Sequence, residues 1–178
     1  MTLHPPLSAR LDAIVRRVPD FPRPGIVFRD ITPLLGDPTL YRETVTAMAA
    51  PWRGRGLTHV VGIESRGFLF GAPLALALDL PFVPVRKPGK LPHRTEREEY
   101  ALEYGTDALE MHTDAMPAGA RVLVVDDVLA TGGTARATAR LVARVGGAVE
   151  GFAFLMAIEA LGGRALLGAA RIEALLAA

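Results

Sequence analysis

Two adjacent carboxylates, Asp126 and Asp127, end the apolar run Arg121 to Val125 (RVLVV), and Ala130-Thr131-Gly132-Gly133-Thr134 follows them. In open α/β sheets ligands bind beyond the carboxyl ends of the strands. Carboxylates there suit vicinal hydroxyls, which donate to them, and not a phosphate, which they repel. The segment Ala130 to Thr134 leads into a helical pattern, Ala135 to Val145, closed by Gly146-Gly147. Successive backbone N–H groups ahead of a helix form a concave nest for an anion at the positive end of the helix dipole. Glycine permits the backbone angles of such a nest, and the Thr131 and Thr134 hydroxyls add donors. A phosphate in the nest with two carboxylates beside it describes a sugar phosphate. The plainer alternative is a strand end followed by an ordinary helix cap.

Two nucleotide readings are excluded. A phosphate loop of the form G-x-x-x-x-G-K-[ST] is absent: Lys90 follows Gly89 but precedes Leu91. A G-x-G-x-x-G dinucleotide fingerprint is absent too. A second candidate anion turn is Glu64-Ser65-Arg66-Gly67, which follows an apolar strand and opens a helix, so that Ser65 and Arg66 could hold a phosphate group. A structural ion pair at Arg66 is the competing reading. The basic residues are nearly all arginine, yet both lysines, Lys87 and Lys90, fall in Arg86-Lys87-Pro88-Gly89-Lys90. That is either a solvated charge run or a second contribution to a highly charged anion.

The elements that must position these groups follow from periodicity. Ser8 is a candidate cap for a first helix with Leu11, Ile14, Val15 and Val18 on one face, ended by Pro19. Phe21 to Leu35 (FPRPGIVFRDITPLL) reads as an ordered loop with a short extended piece. A helix is expected from about Pro38 to Trp52, a strand over Thr58 to Ile63, a helix over Phe68 to Leu78 and a strand over Pro81 to Val85. Arg86 to Glu99 reads as a long polar loop, and Tyr100 to Tyr104 and Ala108 to His112 as a hairpin. Asp126 to Thr134 reads as a turn, Val149 to Ile158 as a strand, and the end as a short helix and one strand, RIEALLA. Strands alternating with helices, with near-continuous apolar strands, predict an α/β fold with a mostly parallel sheet flanked by helices.

Composition bounds the rest. A chain of 178 residues, half of them apolar, is expected to form a single domain with a real core. A net charge of +1 gives no support for nucleic-acid binding. No cysteine is present, which excludes disulfides and thiolate metal sites. The N-terminus lacks the apolar stretch of a signal peptide, and no apolar run reaches about 20 residues, so a cytoplasmic protein without membrane contact is expected.

VLVVDDVLATGGT closely resembles the phosphoribosyl pyrophosphate motif of the type I phosphoribosyltransferases. GIVFRDITPLL, SRGFLFG, RKPGKLP and LEYG together resemble the adenine phosphoribosyltransferase family, in order from about Phe21 to Glu159. The resemblance fades over the N-terminal helix and after Leu161. It implies a small hood from about residues 1–35 and a flexible flap over about 86–105. It implies transfer of a phosphoribosyl group from phosphoribosyl pyrophosphate to adenine, giving AMP and pyrophosphate, with Mg2+ held mainly through substrate, and a homodimer. Asp126 and Asp127 would hold the ribose hydroxyls, and Ala130, Thr131, Gly132, Gly133 and Thr134 the 5′-phosphate. Ser65, Arg66, Lys87 and Lys90 would hold pyrophosphate, in a loop that often carries a cis non-proline peptide. Val27, Phe28 and Arg29 would read adenine, with Phe28 on the purine face. Glu103 would face adenine N7 as the acid, and Tyr104 would close over the reacting centre. A transferase for another base, such as xanthine, hypoxanthine, guanine or orotate, stays open, as does a non-catalytic regulator that senses the sugar pyrophosphate.

Overall fold

The structure is a computed structural model and describes residues 5–101 and 106–178. Helix α1 (Leu7–Ile14) leads into an antiparallel ribbon of β1 (Arg16–Pro19) and β2 (Val27–Asp30), with Arg16 opposite Asp30. The helix is therefore shorter than its apolar spacing suggests. Ser8 lies inside it, Pro6 occupies the cap position, and the run toward Pro19 becomes strand. Two short-range elements follow, α2 (Thr32–Leu35) and α3 (Pro38–Ala49), the latter extended by a 3-10 turn over Ala50–Trp52. Asp37 caps α3: its Oδ1 accepts from the N–H groups of Thr39 and Leu40 at 3.0 and 2.9 Å, worth about 1 kcal/mol.

The central unit is β3 (His59–Ile63), α4 (Arg66–Leu78), β4 (Phe82–Val85), β7 (Arg121–Leu129), α5 (Gly133–Arg144), β8 (Ala148–Ala157), α6 (Gly163–Leu167) and β9 (Arg171–Ala177), with the hairpin β5 (Thr95–Ala101) and β6 (Thr106–His112) between β4 and β7. The sheet order is β4-β3-β7-β8-β9, and every neighbouring pair is parallel. Side chains alternate across it. Val60, Leu123, Val125, Ala153 and Leu155 pack with α3 and α4 on one face. Val61, Ile63, Val122, Val124, Phe152 and Phe154 pack on the other with Leu141 and Val142 of α5 and with Leu109 and Met111 of the hairpin. A strand buried on both faces has no polar side to write into its sequence, which explains the near-continuous apolar runs.

Two expectations are corrected. The polar segment from Arg86 is a loop only as far as Arg94; β5 begins at Thr95, paired with His112. The strand is anchored to α5 by one buried charge: Glu98, 5% exposed, pairs with Arg140 at 2.8 Å and Arg144 at 2.5 Å. The turn assigned to Asp126–Thr134 is also half strand. β7 continues through both aspartates to Leu129, pairing Val128 with Met156.

Candidate active site

β3 and β7 are adjacent, yet the helices that follow them, α4 and α5, lie on opposite faces of the sheet. This is the point where strand order reverses and a crevice opens beyond the strand ends. Both anion-binding turns read from the sequence meet there. Their contact is close: a Cβ on Gly67 would stand 2.8 Å from the Val125 carbonyl and 2.9 Å from Asp126 Oδ1. Only glycine lets α4 start against the carboxylate pair. The Glu64–Ser65 peptide is cis, as the resemblance implies.

A cavity of about 280 Å³ fills the crevice, lined by Ser65, Arg66, Lys87, Tyr100, Asp126, Asp127, Ala130 and Thr134. Thr131, next to Ala130, is exposed, and Gly132, with φ +82°, turns the chain into Gly133 at the start of α5. Arg66 Nε lies 2.9 Å from Asp127 Oδ2. The approach is off-line, so that this buried oxygen has no aligned donor, which is how a hydroxyl acceptor should stand. Burial pushes the carboxyls of Asp126 and Asp127 up; the neighbouring Asp127 charge adds to this at Asp126, and the Arg66 guanidinium opposes it at Asp127.

The cations of the crevice are held by carboxylates. Burial alone would raise Glu64, but hydrogen bonds from Lys90, from the Lys87 N–H at 3.0 Å and from Arg86 Nε at 3.2 Å bring it below its usual range. Lys87 Nζ pairs with Asp107, which also accepts from Tyr100 Oη at 3.2 Å. Lys87 thus lines the cavity, whereas Lys90 sits at its edge on Glu64.

A second, apolar cleft of about 220 Å³ adjoins the first and shares Arg66, Val128 and Ala130 with it. Val27, Phe28 and Arg29 form one wall, Ile158 and Leu161 the other. The Arg66 guanidinium carbon stands 5.0 Å from the centre of the Phe28 ring, within cation–π range. A flat, mostly apolar slot opening onto a charged cavity suits a planar base beside a phosphorylated sugar.

The family of phosphoribosyl transferase domains matches residues 52–164. The adenine phosphoribosyltransferase of Myxococcus xanthus (strain DK1622) is 59% identical over 98% of this chain and 99% of that protein. The chain belongs to the adenine phosphoribosyltransferase family. Among solved structures, that of the adenine phosphoribosyltransferase from Rhodothermus marinus DSM 4252 superposes with TM-score 0.92 at 54% identity, covering 97% of this chain and 98% of that one. The Saccharomyces cerevisiae enzyme, solved with adenine and an imino-altritol bisphosphate, gives TM-score 0.91 at 39% identity, covering 96% of this chain and 98% of that one.

Sequence reasoning missed several residues of this phosphoribosyltransferase crevice. Tyr100 and Asp107 flank Lys87, and Glu64 organises the loop from Arg86; only proximity in space reveals them. Ile158 and Leu161 build the far wall of the apolar cleft, at the point where the family resemblance fades. Gly163 backs the phosphate nest so closely that a Cβ on it would stand 2.2 Å from the Ala130 carbonyl. The Gly162-Gly163 pair was its only sequence signal. Glu103 and Tyr104, the candidate acid and its neighbour, lie outside the described residues.

Among the described residues no cluster of three or more His, Asp or Glu side chains is shaped for a metal. A Mg2+ here would be held mainly by substrate oxygens, with the carboxylates of Asp126 and Asp127 as nearby acceptors for its water ligands. No described helix is long and apolar enough to cross a membrane.

Proposed function

We propose that this site joins adenine N9 to C1′ of phosphoribosyl pyrophosphate, releasing pyrophosphate and forming AMP. The observation that carries it is the junction of an apolar slot faced by Phe28 with a cavity holding Asp126, Asp127 and the turn into α5. Backbone N–H groups from Ala130 to Thr134 hold the 5′-phosphate at the start of α5. Asp126 and Asp127 accept from the ribose hydroxyls. Ser65, Arg66 and Lys87 receive the pyrophosphate, with Lys90 at the edge of the cavity; a Mg2+ carried on that substrate would screen its charge.

The reacting sugar passes through a cationic, oxocarbenium-like state as the C1′–oxygen bond breaks. The protein's share of the catalysis is positioning and charge stabilisation. Arg66 touches both halves of the site and so fixes the leaving group relative to the base. Glu103 is assigned the proton at adenine N7, and Tyr104 the cover over the reacting centre. The hairpin and the loop before it exclude water from the activated sugar. A homodimer is the proposed assembly; Leu69 and Leu76, exposed on α4, offer apolar surface for a partner copy.

Backbone groups at Val27 and Arg29 read the base. Adenine presents a donor at N6 and an acceptor at N1, and 6-oxopurines reverse both. Mismatched buried hydrogen bonds discriminate by about 10⁴–10⁵. The test is a panel of adenine, hypoxanthine, guanine, xanthine and orotate incubated with phosphoribosyl pyrophosphate and Mg2+, followed by nucleotide chromatography. AMP alone is the expected product. Comparable turnover with any 6-oxopurine overturns the base assignment.

A further inference from the structure

A cavity of about 580 Å³ is at the opposite end of the sheet from the site just described. Its walls carry four guanidinium groups, those of Arg53, Arg55, Arg121 and Arg171, against one carboxylate, Glu150. Arg121 and Arg171 are the first residues of β7 and β9, and Arg53 and Arg55 precede β3. Arg121 is six residues before Asp127 on the same strand, so about 20 Å separates the two regions at about 3.3 Å per residue.

Three of these arginines are set in place by the protein. The Arg171 guanidinium carbon stands 5.2 Å from the centre of the buried Trp52 ring, and Nη2 pairs with Glu173 at 2.6 Å. Arg121 Nε pairs with Glu150 at 3.1 Å, and its Nη1 lies where a Cβ on Gly56 would be 2.8 Å away. Arg55 Nε donates to the Pro51 carbonyl at 2.7 Å. Each uses part of its donor fork and keeps N–H groups to spare. Arg53 and Arg55 have no carboxylate partner among the described residues. Four guanidinium groups around one cavity, two of them paired with Glu150 and Glu173, leave a net positive receptor for an anion with several oxygens, and planar forks favour phosphate.

We propose that this cavity is a second, non-catalytic binding site for a linear polyphosphate, whether inorganic or the tail of a nucleoside triphosphate. Four guanidinium groups spread over three strand ends exceed what one orthophosphate can contact. The proposal is independent of the reaction assigned to the other end of the sheet.

The probe is inorganic tripolyphosphate, titrated calorimetrically into the full chain without Mg2+. Two classes of site are expected, one at each end of the sheet. The double substitution Arg53→Ala/Arg55→Ala changes exposed residues and should weaken one class by about tenfold or more. It should leave the thermal midpoint and the turnover of adenine unchanged. Lys87→Ala should weaken only the other class. Orthophosphate should bind the arginine cavity more weakly than tripolyphosphate. Displacement of tripolyphosphate by ATP would assign the site to nucleotide tails, and failure of ATP to compete would assign it to inorganic chains. A single class of site, or two classes both indifferent to the double substitution, would overturn the proposal.

Discussion

The Arg66 guanidinium stands 2.9 Å from the Asp127 carboxylate, so the turn after β3 is bound to the strand end of β7 through charge. The same guanidinium lies over Phe28. Arg66→Ala should therefore lower kcat/KM for phosphoribosyl pyrophosphate by about 10²–10³-fold, the scale of removing one preorganised electrostatic group. Arg66→Lys should not restore it, because an ammonium has no planar face for the ring and no fork for the anion. Steady-state kinetics on both variants decide this; full rescue by lysine would leave charge alone as the role of Arg66.

Lys87 meets the pyrophosphate side of the cavity and should be blind to AMP. Lys87→Ala should weaken phosphoribosyl pyrophosphate and pyrophosphate by about tenfold or more, the scale of a hydrogen bond to a charged group, and leave AMP nearly untouched. Equilibrium binding of the three ligands separates the outcomes. Equal weakening of all three would remove Lys87 from the pyrophosphate subsite.

The phosphate nest is backed by the chain's last helix, and Gly132 bears that constraint. Its φ of +82° disfavours any side chain, and a Cβ would stand 2.8 Å from the Gly163 carbonyl. Gly132→Val should abolish binding of AMP and phosphoribosyl pyrophosphate together. Gly163→Ala, which leaves the nest's own sequence intact, should weaken both as well, through its approach to the Ala130 carbonyl. Unchanged AMP affinity in a folded Gly163→Ala variant would break this link.

The two aspartates trade stability for binding. Burial raises Asp126 above its reference value of 3.8. A carboxyl whose folded value is raised stabilises the fold while protonated, below the unfolded value, and loses that contribution as pH climbs through the folded value. Above the unfolded value the wild-type protein bears the cost of this raised carboxyl, which Asp126→Asn lacks. The variant should melt higher at about pH 7, and its advantage should close toward about pH 4. Calorimetry across that range checks the sign, and phosphoribosyl pyrophosphate affinity should fall in the same variant.

Glu98 ties the hairpin to α5. Removing a nearly buried carboxylate takes the ion pair from Arg140 and leaves Arg144 only the Arg97 carbonyl, a loss of about 1–3 kcal/mol. Glu98→Ala should lower the denaturant midpoint accordingly, and hydrogen exchange along β5 should rise more than along β7.

The parallel sheet and its two anion turns were readable because β3 and β7 are buried on both faces and so appear as bare apolar runs ahead of Glu64 and Asp126. Ala130 to Thr134 was readable because a nest needs backbone freedom, which glycine makes visible. β5 was not. Its Thr95-Glu96-Arg97-Glu98-Glu99 looks like a solvated loop, since the one buried carboxylate is neutralised by arginines more than forty residues away. Leu161 and Gly163 were nearly as hard to read: they lie in the segment that leaves β8, the strand beside β7, and it meets the site only in space, with Gly162-Gly163 as its one local signal. Asp107 pairs with Lys87 across a distance in sequence that no spacing rule covers.

Glu64, Asp107 and Asp127 hold Lys90, Lys87 and Arg66, the cations proposed to meet the pyrophosphate. Loading this site is thus an exchange of counter-ions and not an addition of charge to bare cations. A phosphate can enter only where it outbids a carboxylate already in place. Simple anions such as chloride should compete poorly, and substrate affinity should depend on background salt less steeply than the charge of the substrate alone would suggest.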